Sequence, residues 1–217
     1  MQDNAEFIVQ TMGRRETYAL LARLLREEIS LELLHQLRAM RDDSESAGDG
    51  HILLNRYLSG IERLENEQVI AELAADFAGL FLNASSHPAH PYESFYTSPE
   101  HLLMQEARDQ VRQVYTTSGL ALSGKFREPE DHIALELEFM SHLCLRTVAA
   151  SEAGDLEMTR VQLQSQREFL VDHLLRWAPR FCEDLVRHAA TDFYRALGHL
   201  LSDFLELERE TMAEWGS

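Results

Sequence analysis

Helical periodicity dominates the sequence of 217 residues. Val69, Leu73, Phe77 and Leu80, for example, recur every three or four positions, which places them on one face of a helix. Strand-like alternation of useful length is absent from the sequence, and no repeat at a fixed period is visible. The pattern therefore predicts an all-α fold, a single globular domain of about seven to nine helices.

The glycine, proline and polar residues between the apolar stripes predict where the helices begin and end. We expect helices over about 3–28 and 31–40, two more across 52–80, and later ones over about 98–118, 130–150, 156–177 and 179–208. Ser98 followed by Pro99 is typical of a helix N-terminus. We expect an exposed loop at 41–50, an irregular loop near 83–98 and a hinge near 119–129. The domain spans 1–217 and is divisible into sub-parts 1–122 and 130–217, joined by a hinge at 123–129.

The helix predicted after Pro129 is apolar on two sides, which is typical of a helix at the centre of a bundle. Its two stripes consist of Ile133, Leu137, Met140 and Cys144, and of Leu135, Phe139 and Leu143. Its N-terminal end is polar. Polar chemistry is therefore expected at the entrance of a core helix.

The charge balance narrows the choice of partners. The chain has 37 acidic and 20 basic side chains, a net charge of −17. This balance argues against nucleic acid and anionic lipid as partners, because both need clustered cations, and it favours cationic peptides. No apolar run approaches 18 residues, so no stable membrane insertion is expected.

Other features of the sequence predict a cytoplasmic location. The N-terminus lacks the basic and apolar regions of an export leader. Arg14 and Arg15 resemble the arginine pair of a twin-arginine signal. Charged residues interrupt the apolar stretch after them, which favours a surface pair on a helix. Cys144 and Cys182 lie in apolar helical stretches and are interpreted as buried thiols in a reducing compartment.

Enzyme motifs are missing from the sequence. It contains no phosphate-binding glycine loop, no HExxH and no GxSxG, so we predict no enzymatic activity, no catalytic residues and no cofactor. His87 and His90, with His101 nearby, resemble metal ligands, but a zinc site needs further rigidly held ligands, and we predict no metal site. One alternative stays open: a small metal- or nucleotide-dependent enzyme that uses His87, His90, Asp131 and His132.

Two short motifs stand out in the middle of the chain. The first is the aromatic stretch Pro91-Tyr92-Glu93-Ser94-Phe95-Tyr96, which falls in the predicted loop. Loop aromatics either pack back on the body or recognise a ligand, because tyrosine combines rigid apolar area with a polar tip. The second is Glu128-Pro129-Glu130-Asp131-His132, at the start of the predicted core helix. By itself it is typical of a helix start, where a carboxylate accepts backbone N–H bonds.

Taken together, these motifs resemble the TorD/DmsD/NarJ family of redox-enzyme maturation chaperones. Leu102-Leu103-Met104 between them and the later segment 169–181 add to the similarity, which covers about residues 70–205. The resemblance implies a TorD-like helical fold and a cytoplasmic, non-enzymatic chaperone. Such proteins bind the signal peptide and catalytic subunit of a molybdenum-cofactor oxidoreductase, hold it until the cofactor is inserted, and release it for twin-arginine export.

The resemblance also implies a peptide-binding face. Its residues are those of the two motifs: Pro91, Tyr92, Glu93, Ser94, Phe95, Tyr96, Glu128, Pro129, Glu130, Asp131 and His132. The acids nearest the motifs would pair with arginines, and the aromatic rings would floor an apolar groove. The alternative within the family is a NarJ-like assembly factor for a non-exported, membrane-bound reductase. The chain is expected to be a monomer or a homodimer, in which two copies exchange halves at the hinge.

Overall fold

The structure of the protein is a computed structural model that describes residues 2–41, 48–120 and 127–215. Most of the loop predicted at 41–50 and most of the hinge predicted at 123–129 lie outside the described residues. Lys125, the single lysine of the sequence, also lies outside them.

Ten α-helical segments make up most of the described chain. They are α1 (Gln2–Arg26), α2 (Leu31–Ala39), α3 (Asp49–Gly60), α4 (Asn66–Phe81), α5 (Glu93–Thr97), α6 (Glu106–Thr117), α7 (Ile133–Glu152), α8 (Leu156–Phe169), α9 (Leu175–His188) and α10 (Asp192–Trp215). A π-helical turn, Leu170–Leu174, joins α8 to α9 without a break. Across the described ranges there are thus nine separate helices and no strand, and the all-α prediction is confirmed.

Local capping explains several helix ends. The side chain of Ser30 accepts a hydrogen bond from the Leu33 N–H at the start of α2, and Asp155 does the same for Met158 at the start of α8. Gly119, at φ +74°, follows the C-terminus of α6, close to the predicted helix end at 118, because glycine adopts the left-handed conformation at little cost.

The helix start predicted at Ser98 is wrong. α6 begins at Glu106, not at Ser98, and Ser98 follows the last residue of α5. The Ser98 hydroxyl accepts a hydrogen bond from the Leu102 N–H at 2.9 Å, so it stabilises a loop. His101 and Met104 in that loop adopt left-handed φ values of 52° and 57°.

Pro179 was expected near the start of the last helix, but it lies inside α9. An interior proline costs a helix about 3 kcal/mol. Trp177, Ala178 and Phe181 beside it are fully buried, and each large apolar side chain contributes about 1.5–3 kcal/mol on burial. Packing therefore outweighs the proline, and a separate helix, α10, follows from Asp192.

The described chain divides into two compact units. Unit 1 comprises Met1–Leu25, Tyr92–Ala178 and Glu206–Ser217, and unit 2 comprises Arg26–Pro91 and Pro179–Leu205. Each unit collects segments from both sides of residues 123–129. The units therefore differ from the predicted sub-parts 1–122 and 130–217.

Unit 1 is built around α7, as the two apolar stripes predicted. Fourteen of its 20 residues are buried, so it has almost no solvent-facing side. The rings of Phe139 and Phe169 lie 4.6 Å apart, which packs α7 against α8, and Tyr115 of α6 lies 4.8 Å from Phe139. Cys144 of unit 1 and Cys182 of unit 2 are both buried free thiols, as expected.

Arg14 is not the surface residue that the sequence suggested. It is buried in unit 1, where its Nη2 and Nε atoms donate to Glu208 at 2.6 and 2.7 Å, and Nη2 also donates to Gln166. The Tyr18 hydroxyl donates to the same Glu208 carboxylate. A guanidinium is buried at tolerable cost only when it is paired in this way.

The core of unit 2 is aromatic, with the rings of Phe77, Phe81, Phe181 and Tyr194 in mutual contact. Asp76 of α4 accepts hydrogen bonds from the backbone N–H groups of Ala190 and Thr191 just before α10. A carboxylate suits this position because the N-terminus of a helix carries partial positive charge. None of the helices in the described residues is long and apolar enough to cross a bilayer.

Candidate functional site

The structure brings the two mid-chain motifs together. Tyr92 and His132 form an isolated antiparallel bridge. The Glu93 N–H donates to the Asp131 carbonyl at 3.0 Å, and the Ser94 N–H donates to Asp131 Oδ2 at 2.9 Å. We call the residues Tyr92–Tyr96 and Glu128–His132 the motif corner.

Local structure at the motif corner differs from the sequence-based expectation in two respects. The aromatic stretch is a short helix, α5, and not a loop. Asp131 caps α5 by accepting the Ser94 N–H, whereas α7 is capped by His132, whose Nδ1 accepts the Ala134 N–H at 3.1 Å. The second motif therefore supplies N-terminal caps to two helices at once.

Burial divides the predicted peptide-binding residues into two groups. Glu93, Ser94 and Asp131 are fully buried, with 0% exposure. Pro91, Tyr96 and His132 are also buried, whereas the partly exposed members are Tyr92, Phe95, Glu128, Pro129 and Glu130. Glu93 and Asp131 were expected to pair with arginines of a ligand, but here they are interior residues. The assignment of the motif corner to peptide binding stays a prediction.

The partly exposed acids already have partners within unit 1. The Tyr92 hydroxyl donates to Glu128 Oε2 at 2.6 Å, and the Arg108 guanidinium donates to both carboxylate oxygens of Glu130. Burial acts to raise the pKa of Glu130, but the hydrogen bonds and charge of Arg108 outweigh it and lower the pKa. A cationic ligand would therefore compete with Arg108 for Glu130.

Three buried residues behind the motif corner were not predicted as site residues. His173 Nδ1 lies 2.9 Å from Glu93 Oε2, and Trp177 Nε1 donates to Glu136 Oε2 at 3.1 Å. The Tyr96 ring stacks on Trp177 at 5.7 Å between centroids. His173 and Trp177 are four positions apart, so they lie on one helical face. This spacing is the signal in the sequence that could have indicated that both belong to one site.

Glu93, Asp131 and Glu136 form a cluster of interacting buried carboxyl groups. Burial raises the pKa of Glu136 well above its ordinary value, and the negative charge of Glu93 raises it further. Burial also raises the pKa of Asp131, against the hydrogen bonds from Ser94 that lower it. A carboxyl with a raised pKa keeps its proton to higher pH and can donate it to a neighbouring carboxylate. Glu93 and Asp131 of this cluster belong to the motif corner, and Glu136 lies in the first turn of α7.

The candidate metal ligands have protein partners instead. His87 Nδ1 lies 2.8 Å from Ser86 Oγ, and His101 Nδ1 lies 2.9 Å from the Phe95 carbonyl oxygen. Among the residues that the structure describes, no group of three or more His, Cys, Asp or Glu side chains is arranged to hold a metal ion. Of the residues in the alternative enzyme, His87 and His90 belong to unit 2, whereas Asp131 and His132 belong to unit 1.

Comparison with known proteins places this chain among proteins of similar length. The nitrate reductase delta subunit family matches residues 41–183. The Chaperone protein TorD of Vibrio cholerae serotype O1 is 32% identical over 158 residues, which cover 72% of this chain and 70% of that protein. The Aliivibrio fischeri TorD is 31% identical over 209 residues, which cover 92% and 94% of the two chains.

A solved structure from Archaeoglobus fulgidus, named for redox enzyme maturation, aligns with a TM-score of 0.48 at 22% identity, and covers 88% of this chain and 93% of that one. The classification rests on the sequence matches alone. The chain belongs to the nitrate reductase delta subunit family, which is the TorD/DmsD/NarJ family that its motifs resemble.

Proposed function

We propose that this protein is a cytoplasmic chaperone of redox-enzyme maturation, and that it binds the twin-arginine signal peptide and catalytic subunit of a molybdenum-cofactor oxidoreductase before export. The single observation that carries the proposal is family membership. Two relatives named Chaperone protein TorD match 92% and 94% of the chain. The role is binding, not catalysis: the client is held until its cofactor is inserted.

Charge and burial support the recognition of a cationic, apolar leader. The net charge of −17 steers arginine-rich segments toward the protein. The rings of Tyr92 and Phe95 are partly exposed and offer apolar contact, and the Tyr92 hydroxyl donates to Glu128, one of the partly exposed acids of the motif corner. A disordered peptide pays about 2–5 kcal/mol to become ordered on binding. We therefore expect roughly micromolar affinity, about −8 kcal/mol, which suits a chaperone that later releases its client.

Binding of synthetic leader peptides tests the proposal. A peptide with an arginine pair followed by an apolar run should bind with roughly micromolar affinity, measured by titration calorimetry. Raising the salt concentration should weaken binding but leave an apolar contribution, because screening acts on charge pairs and not on buried apolar area. An affinity that is the same at low and high salt would contradict the proposal that arginines of the leader pair with acids of the protein.

Client capture provides the second test. A pull-down from anaerobic cytosol with the full chain should recover a molybdenum-containing reductase. Asp131→Ala and Tyr96→Ala should lose the client while circular dichroism shows an unchanged helical content. Because both side chains are buried, Asp131→Asn, which retains an oxygen for the Ser94 N–H, separates loss of the carboxylate charge from loss of the cap. Capture by all three variants would contradict the assignment of the motif corner to client binding.

A NarJ-like assembly factor for a non-exported, membrane-bound reductase is the second candidate, favoured by the name of the matching family, nitrate reductase delta subunit. The two candidates differ in whether the arginine pair is needed. An array of client N-termini, with and without the pair, decides between them: equal binding of both sets favours the assembly factor.

A further inference from the structure

A groove opens on unit 1 next to the buried cluster, between α6 and the π-turn that precedes α9. Its volume is about 450 Å³, which falls within the usual range of ligand pockets, about 300–1,000 Å³. Its polar lining consists of Gln110, Gln113, Thr117, Asp172, His173 and Arg176. None of these residues was predicted as a site residue.

A second hollow of about 270 Å³ shares Gln110 and Arg176 with this groove. Its lining includes residues 97–100, Gln105 and the first turn of α6, and it adds the acids Glu100 and Glu106. We call the two hollows together the α6 groove.

Charge and hydrogen-bonding capacity suit the α6 groove to a cationic peptide. Asp172, Glu100 and Glu106 are solvent-exposed and outnumber the one guanidinium of the wall, Arg176. Amide and hydroxyl side chains such as Gln113 supply both donors and acceptors, which an extended backbone needs along its length. The lining therefore matches an arginine-bearing segment in extended conformation.

The loop beside the groove exposes an apolar trio. Leu102, Leu103 and Met104 are 53%, 41% and 61% exposed, three consecutive large apolar side chains. The loop displays them at a conformational cost, because His101 and Met104 occupy the left-handed region, which L-residues with side chains seldom adopt. The trio lies in the chain between Glu100 and Gln105, which both line the second hollow, and a cluster of exposed apolar residues is typical of a recognition surface.

His173 connects the α6 groove to the motif corner. Its ring lies in the groove wall, while its Nδ1 contacts the buried Glu93 carboxylate at 2.9 Å. Glu93 and Asp131 can thus influence a peptide in the groove without touching it, because they hold the wall residue and cap α5.

Resting on the proposed function, we propose that the client leader binds in the α6 groove and not directly on the buried acids of the motif corner. Arginine side chains of the leader lie against Asp172, Glu100 and Glu106. The apolar segment that follows them packs on Leu102, Leu103 and Met104.

Fluorescence anisotropy with labelled peptides and the full chain tests this placement. One peptide carries two adjacent arginines followed by leucines, a second replaces the arginines with glutamine, and a third replaces the leucines with serine. The double variant Leu102→Ser/Met104→Ser should bind the first peptide at least about tenfold more weakly, and should bind the third peptide like wild type. Asp172→Asn with Glu106→Gln should reduce the preference for arginine over glutamine by about tenfold.

Matched controls lie on α8, away from the groove wall in sequence. Leu156→Ser/Val161→Ser removes two side chains that are 69% and 47% exposed, and Glu157→Gln removes an exposed acid. These controls should bind all three peptides like wild type. Equal losses in the controls and the groove variants would overturn the proposal.

The outcomes also separate this placement from the proposed function. If Glu128→Gln/Glu130→Gln abolishes binding while the groove variants bind like wild type, the placement in the α6 groove is wrong and the chaperone function stands. If the wild-type protein binds none of the three peptides, recognition of a signal peptide is itself contradicted.

Discussion

Glu136 shows how a single buried residue makes the stability of this protein depend on pH. Its carboxyl is fully buried in the first turn of α7, and Trp177 donates to one of its oxygens. Because burial and the charge of Glu93 raise its pKa in the folded state, the folded protein binds this proton more tightly than the unfolded chain. The stability that this proton provides is present at low pH and is lost as pH rises from about 4.5 toward the raised value.

We expect Glu136→Gln to remove this dependence, since a glutamine oxygen still accepts the Trp177 N–H and carries no charge. Relative to wild type, the variant should gain free energy of unfolding as pH increases from 5 to 8, measured by urea denaturation at each pH. Glu157→Gln, which removes an exposed acid of α8, should follow the wild-type curve. Parallel pH curves for wild type and Glu136→Gln would contradict the prediction.

At the scale of the helices, close packing limits the size of the side chain that a position can hold. Gly198 of α10, in unit 2, is an example. A Cβ atom at Gly198 would lie 2.7 Å from Val186 Cγ2 and 3.1 Å from the Cys182 carbonyl oxygen of α9. The missing side chain therefore permits the close approach of these two helices. Gly13 of α1 is a helical glycine with nothing within 4 Å of such an atom.

The two glycines should respond to alanine in opposite directions. Gly198→Ala should lower the free energy of unfolding by about 1–3 kcal/mol, because overpacking forces the helices apart. Gly13→Ala should raise it by about 0.5–1 kcal/mol, because alanine loses less backbone entropy in a helix. Chemical denaturation of both variants measures the difference, and a stabilised Gly198→Ala would show that α9 and α10 are not held this closely.

A second feature at the scale of secondary structure is the π-turn, which contributes residues to the α6 groove. Leu170–Leu174 replaces a regular turn between α8 and α9, and it contains His173, which reaches Glu93. Such turns occur often at functional sites because they change which side chains share a helix face. Here the turn supplies both Asp172 and His173 to the α6 groove.

At the scale of the whole molecule, buried ionic contacts join distant parts of the chain. Arg14 of α1 and Glu208 of α10 are 194 positions apart and form a buried ion pair in unit 1. Removing one partner of such a pair leaves an uncompensated buried charge, at a cost of about 3–5 kcal/mol. The exposed pair Arg209–Glu206 lies on α10 as well and offers a contrast.

Glu208→Gln should therefore destabilise the protein by about 3–5 kcal/mol in urea denaturation, because Arg14 loses its counter-charge. Glu206→Gln should cost at most about 1 kcal/mol, since water screens an exposed pair. Equal effects of the two substitutions would show that the contact between Arg14 and Glu208 contributes little to the folded state.

Sequence alone determined the helical class, most helix boundaries, the central position of α7 and the family. These follow from apolar periodicity, capping residues and motif order, which are encoded within a few neighbouring positions. Tertiary structure alone decided that Ser98 serves a loop, that Pro179 lies inside a helix, and that Glu93 and Asp131 are buried. The reason is distance along the chain: His173 meets Glu93 across 80 positions and Trp177 meets Glu136 across 41, so only folding brings these partners together.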